Sequence, residues 1–298
     1  MKKIKHYVPD SGETYYNFHL NVFKATRHVK GWTPGCVDDK VLIENRSSDL
    51  KIAFYEYKWR FENDSLECLQ PIKKTKSEEN AFFKQYSYSK SCFGRLRHDL
   101  MTDDNGKLES RCPLCQLDTV STLDHCVPRN PEFQEFSDHP LNLIPSCSIC
   151  NGKKGNRWKN YKGKRSILNL YIDDIPNVQY LFVKIDLNLS CDFYVKKNDM
   201  IDIDLYERIE NNYGEKGLKL CQRYSESAGT FIDELVCALT DVQINDTSNR
   251  ILKTDYEKMA KKLQNKFGVN YWKAVLLLEI SENNDIMNVL KFNVRNSL

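Results

Sequence analysis

Two cysteine pairs, Cys112-Pro-Leu-Cys115 and Cys147-Ser-Ile-Cys150, stand in a chain of 298 residues with 31 residues between them. A two-residue gap lets one tight knuckle present two thiolates to a single tetrahedral ion, and two such knuckles complete a four-sulfur site. Zn2+ suits it best, and a closed four-cysteine site is structural rather than catalytic. A redox pair and an iron–sulfur cluster are the rival readings. The doubling of the motif and the lack of a thioredoxin-like context weigh against the first, and the second is the rarer use of such a pattern. Cys36, Cys68, Cys92, Cys126, Cys191, Cys221 and Cys237 are scattered and read as small apolar residues.

Polar residues sit between and just after the pairs: Thr122-Leu123-Asp124-His125-Cys126-Val127-Pro128-Arg129, then His139-Pro140-Leu141-Asn142-Leu143-Ile144-Pro145, then Cys150-Asn151-Gly152-Lys153-Lys154-Gly155. A lone Asp–His step is usually structural. Framed by cysteine knuckles, with an Asn directly after the last Cys, it is far more specific. Residues 110–157 resemble the HNH endonucleases, of the ββα-metal, treble-clef type, and the wording is similar to that of bacterial, defence-type HNH proteins. The resemblance implies that Cys112, Cys115, Cys147 and Cys150 hold a structural zinc. It also implies that Asp124 and Asn151 ligate a catalytic Mg2+ or Mn2+, and that His125 is the general base. Asn142 would brace the loop between the strands and orient His125, and Lys153 or Lys154 would contact phosphate.

The chemistry is coherent on its own terms. Phosphodiester hydrolysis needs an activated water and neutralised charge on the phosphate. A neutral imidazole can take the proton at cellular pH. A carboxylate and an amide oxygen suit a hard cation. One difficulty stands: neighbours in a regular strand point to opposite faces, so Asp124 and His125 serve one phosphate only near a strand end. Residues 151–165 follow at once with Lys153, Lys154, Arg157, Lys159, Lys162, Lys164 and Arg165, no acid, and Trp158 and Tyr161 interleaved. Such a stretch can track a phosphate backbone while its aromatics stack on bases. The bland alternative is a solvated surface with Trp158 as a core anchor. His139 reads more readily as a packed histidine than as a phosphate contact, and His6, His19, His28 and His98 as structural.

The elements that must position these residues are less plainly written. Hydrophobic residues make up 41% and charged residues 29% of the chain, as in a globular protein with a real core. The longest apolar run, Ala274 to Leu278, is too short to span a bilayer, and Lys2, Lys3 and Lys5 are not followed by a signal-like apolar stretch, so a cytoplasmic protein with reduced thiols is expected. The net charge of +3 divides into +7 for residues 1–165 and −4 for 166–298, which directs a polyanion to the first part. Residues 15–23 read as a strand or an amphipathic turn and Trp32–Gly35 as a loop. Helices are expected over 38–69 and 77–101, with a stop at Thr102–Gly106, and Tyr55, Trp59, Phe82, Phe83 and Trp272 are expected in helical cores. Phe133 and Phe136 belong to a small core near the cysteines. Residues 167–195 look β-like, and helices follow at 204–240, 247–267, 269–281 and 285–292.

The expected fold is α+β and mostly helical. A small ββα module at 106–165 lies between an N-terminal, mainly helical region, 1–105, and a C-terminal region, 166–298, of a short β segment and helices suited to partner binding. The expected function is a metal-dependent endonuclease acting on DNA. By analogy with similar bacterial proteins it would be an effector of anti-phage defence, sometimes paired with an ATPase. The alternatives are a non-catalytic zinc-ribbon nucleic-acid-binding protein, and a nuclease active only with a partner protein. Nothing in the sequence bears on oligomeric state.

Overall fold

The structure is a computed structural model, and it describes residues 3–26, 38–87, 90–103 and 105–297, with side chains to 294. The loop expected at Trp32–Gly35, and His28, Cys36 and Asp104, lie outside the described residues. The protein is α+β, about half helical, with two small two-stranded sheets. It divides into two compact units, residues 3–173 and 174–298. No boundary falls at 105/106, and the second lies at 173/174 instead of 165/166. The physical reason is that rings from the first helices and side chains of the cysteine-rich segment share one core.

In the first unit, α1 (Tyr15–Ala25) is a helix, where the sequence leaves a strand or a turn open. Thr14 and Asn17 cap it reciprocally, and Tyr15, Phe18 and Val22 give it one buried face. Next come α2 (Asp39–Asn45), α3 (Ser47–Glu62), α4 (Lys76–Phe83) and α5 (Ser91–Met101). The expected 77–101 helix is thus two helices. On α3 two apolar stripes have helical spacing. Leu50, Ala53, Phe54, Tyr57 and Phe61 are buried, whereas Ile52, Tyr55 and Trp59 are exposed. Phe83 is exposed as well, so Tyr55, Trp59 and Phe83 are not core residues, and Tyr57 is. Periodicity alone does not choose between two faces of one helix. Tyr57 is on the packed face because its hydroxyl finds a buried acceptor there, Asn142 Oδ1 at 2.9 Å. Burying a ring such as Phe54 or Phe93 stabilises the unit by about 1.5–3 kcal/mol.

β1 (Thr122–His125) pairs antiparallel with β2 (Leu143–Ser146), Thr122 opposite Ser146 and His125 opposite Leu143, and α6 (Ser148–Lys154) follows. Phe133, Phe136, Leu123, Leu143 and Tyr171 join Phe18, Phe54, Tyr57 and Phe93 in a single core.

The second unit is built on a hairpin, β3 (Leu181–Ile185) with β4 (Cys191–Val195). The helices are α7 (Ile203–Tyr213), α8 (Leu220–Cys237), α9 (Asp241–Asn245), α10 (Arg250–Phe267), α11 (Trp272–Glu282) and α12 (Asn284–Ser297). Trp272 is buried, stacked on Tyr224 at 5.8 Å. Asn270 accepts from the backbone N–H groups of Tyr180 and Leu181 and donates to the Val178 carbonyl, tying the start of β3 to the turn before α11.

Candidate metal centre and the residues around it

The sulfur atoms of Cys112, Cys115, Cys147 and Cys150 lie within 4.8 Å of one another, and all four residues are buried. Local backbone chemistry builds this. After the first pair the Gln116 N–H donates to the Cys112 carbonyl (2.8 Å), with Gln116 in the left-handed region at φ 57°, and the Leu117 N–H points at Cys115 Sγ (3.5 Å). Cys147 is the N-cap of α6, its Sγ accepting from the Cys150 N–H at 3.3 Å. Four sulfur atoms so close together, in two C-x2-C pairs, can hold a metal such as zinc. The ten described cysteines are all free of disulfides.

β1 ends at His125, and its side chains alternate. Thr122 and Asp124 meet α6, and His125 turns to the other side. His125 Nε2 lies 2.9 Å from the Ser137 carbonyl. A carbonyl only accepts, so Nε2 carries the proton and Nδ1 keeps its lone pair. Burial pushes the imidazole pKa down to about 3, and the Arg129 and Lys154 charges add to this, so the ring is neutral. The Tyr86 ring meets it edge-on at 4.6 Å.

Asp124 is buried, and burial pushes its carboxyl pKa up while the Lys154 ammonium opposes that. Lys154 Nζ is 3.3 Å from Asp124 Oδ1 and donates to the His125 carbonyl at 2.5 Å. Lys154, expected as a phosphate contact, is therefore turned inward: at the end of a short helix lying on β1, its stem is buried and its charge answers Asp124. Asn151 Nδ2 donates to Thr122 Oγ1 at 3.1 Å, and Thr122 in turn donates to the Ser146 carbonyl. This leaves Asn151 Oδ1 as an oxygen with no hydrogen bond among the described residues. No hydrogen bond or ion pair joins the Asp124 side chain to Asn151, or either of them to the His125 ring, among the described residues.

Asn142 is buried and uses its whole amide: Oδ1 accepts from Tyr57 Oη and the Val127 N–H (2.7 Å), and Nδ2 donates to the Val127 and Phe136 carbonyls. It clamps the loop that carries the Ser137 carbonyl. His139 is buried, its Nδ1 accepting from the Leu141 N–H and its Nε2 meeting the Phe54 carbonyl at 3.3 Å, so it faces no phosphate.

Three further residues, which the sequence does not single out, converge here. Arg129 sits over Phe83, its guanidinium carbon 3.8 Å from the ring centroid, and reaches the Tyr86 carbonyl at 3.5 Å; it has no carboxylate partner among the described residues. Its signal is present in the sequence, in the Pro-Arg step just after Asp124-His125. His19 and Asp138 form a buried pair, Nδ1 to Oδ2 at 2.8 Å, next to Ser137. They stand 119 positions apart, and no local pattern links them.

Of the remaining expected cations, Lys153 is half-buried, Arg157 and Lys162 are exposed, and Lys159 lies 4.2 Å from the centroid of the Trp158 ring. No helix among the described residues is long and apolar enough to cross a membrane. Comparisons with family models, with curated proteins and with solved structures found no match.

Proposed function

We propose that the first unit is a zinc-stapled, metal-dependent nuclease of the HNH type that hydrolyses phosphodiester bonds in DNA. The observation that carries this reading is the fixed tautomer of His125. Its Nε2 proton is committed to the Ser137 carbonyl, which leaves the Nδ1 lone pair as the acceptor, one residue from a carboxylate and four from Arg129, which has no carboxylate partner among the described residues. In this scheme Nδ1 takes the proton of the attacking water. Arg129 meets the phosphate oxygens, and Asn142 keeps the Ser137 carbonyl in place.

Asp124 and Asn151 would hold the divalent ion. One carboxylate and one amide oxygen without a hydrogen bond are the right donor types for Mg2+ or Mn2+, provided Asp124 is shared with or released by Lys154. When bound, that ion supplies charge neutralisation on the scissile phosphate and the leaving oxygen. Zn2+ at the four cysteines would act mechanically, because Cys150 anchors the backbone from which Asn151 projects.

One observation favours a second reading, a zinc-ribbon nucleic-acid-binding module without chemistry: Asp124 is buried against Lys154. Plasmid cleavage by the full chain with Mg2+, Mn2+ or EDTA separates the two, comparing wild type with His125→Ala and measuring zinc by elemental analysis. The nuclease predicts metal-dependent nicking lost in the variant, with one zinc per chain. Zinc-loaded protein that binds DNA but never nicks it would favour the binding module. A nuclease working only with a partner such as an ATPase would neither bind nor cut alone.

A further inference from the structure

The sequence treats Trp158 and Tyr161 alike, but the structure separates them. Trp158 is 9% exposed and meets Phe133 edge-on at 5.3 Å, whereas Tyr161 is 93% exposed. Tyr161 stands at the tip of a tight hairpin closed by the antiparallel bridge of Lys159 with Arg165. The Asn160 N–H donates to the Lys164 carbonyl (2.8 Å), and Asn160 Oδ1 accepts from the Lys162 and Lys164 N–H groups. Gly163, at φ 76°, takes a conformation that a side chain would strain. The root is locked as well: Arg165 is buried and ion-paired to Asp173 (3.0 Å) and to Asp64. A hairpin fixed at both ends presents its tip ring to solvent as a built feature.

Its tip carries cations only, while Asp64 and Asp173 pair with Arg165 at its root and Asp124 pairs with Lys154 before it. From His139 to Ile172 the sequence has no Asp or Glu and seven Lys or Arg. Lys162 Nζ lies 5.5 Å from the centroid of the Tyr161 ring. A π face with a cation beside it matches what a nucleotide offers, a flat base joined to a phosphate. An apolar protein partner would call for a broader hydrophobic tip, and an acidic one would have no use for the ring. In a regular duplex the base faces are covered by their neighbours. A protruding ring finds a partner only where a base is unstacked.

We infer that the 159–165 hairpin is a stacking site for an unpaired base, with Tyr161 as the platform, and that the preferred substrate is single-stranded DNA or DNA with unpaired nucleotides. This deepens the nucleic-acid reading above and rests on it. The test uses the full chain carrying His125→Ala, zinc retained and no other divalent metal, so that binding is read without cleavage. Fluorescence anisotropy compares labelled oligothymidylate with a duplex of equal length. The single strand should bind more tightly. Tyr161→Ala should weaken it about 5- to 150-fold, the range for loss of one stacked base, with duplex affinity unchanged. Tyr161→Phe should restore binding, and the melting temperature should not move, because the ring is exposed.

Equal binding of the single strand by wild type and Tyr161→Ala overturns the inference, and so does an equal loss on both substrates. Absence of binding to either oligonucleotide overturns it too, and assigns the ring to some other partner. Plasmid nicking decides the catalytic reading separately: retained single-strand selectivity with no nicking removes only the nuclease, and nicking with no Tyr161 effect removes only the stacking site.

Discussion

Arg129 holds a positive charge that no carboxylate among the described residues answers, on a surface that burial makes less hospitable to charge; its pKa is lowered for that reason. A cation kept there at such cost is best explained by an anion that arrives later. Arg129→Ala should lower the cleavage rate by about 10²–10³-fold, the loss seen when one donor to a transition-state oxyanion is removed, while DNA affinity changes much less. Single-turnover cleavage set beside anisotropy binding checks this, and equal losses in both would make Arg129 an ordinary DNA contact. His139 supplies a different test. Burial puts its folded pKa near 3, against about 6.5 when unfolded. The unfolded chain therefore binds the extra proton first as the pH falls. The contribution of His139 to stability is complete above pH 6.5 and is lost progressively from there toward pH 3. Between pH 7.5 and pH 5 this side chain should cost the fold about 2 kcal/mol. Urea midpoints at the two pH values should show a smaller drop in His139→Asn, and an identical drop would mean that His139 does not titrate in this way. The four cysteines were legible because ligand spacing is local. Lys154 misled because a lysine reads as solvated until a buried carboxylate is found opposite it.

At the scale of elements, α1 reaches the proposed base through a chain of contacts. His19 on α1 pairs with Asp138, Asp138 follows Ser137, and the Ser137 carbonyl fixes the His125 ring. Removing the imidazole leaves a buried carboxylate without its partner, a change costing several kcal/mol in comparable pairs. His19→Ala should lower stability and slow cleavage. His19→Asn, whose amide can donate from nearly the same point, should recover much of both. A positioning role predicts that Asn recovers the rate at a saturating DNA concentration, measured well below each variant's melting temperature. Stability recovered without rate would leave His19 a core residue only. Which elements would form was partly readable: the β3–β4 hairpin and most helices follow from period and caps. How α1 and α3 meet the 137–142 loop was not. Those contacts are long-range, and α3 carries two stripes of equal spacing, of which only the one with Tyr57 meets Asn142.

For the whole molecule, the division at residue 173 bears on where the energy of metal binding goes. The second unit has its own core, with Tyr180, Phe193, Tyr224 and Trp272 in ring contact or buried together, and no cysteine cluster among its described residues. In the first unit the four thiols come together from the two ends of the segment Cys112 to Cys150, which contains both strands and the start of α6. A structural zinc of this class contributes about 10–16 kcal/mol of apparent binding energy, as large as the whole stability of a typical domain, about 5–15 kcal/mol. Its loss should therefore melt β1, β2 and α6 and free His125 and Asn151 from their positions, while the second unit stays folded. Hydrogen exchange read by mass spectrometry, on the full chain before and after zinc extraction at neutral pH, measures both at once. Peptides from residues 122–154 should lose protection, and those from 181–195 and 272–282 should keep it. Loss in both sets would mean that the two units fold as one cooperative body. Unchanged protection over 122–154 would mean that the hydrophobic core around Leu123, Phe136 and Leu143 holds the strands without the metal, and the mechanical role proposed for zinc would fall with it.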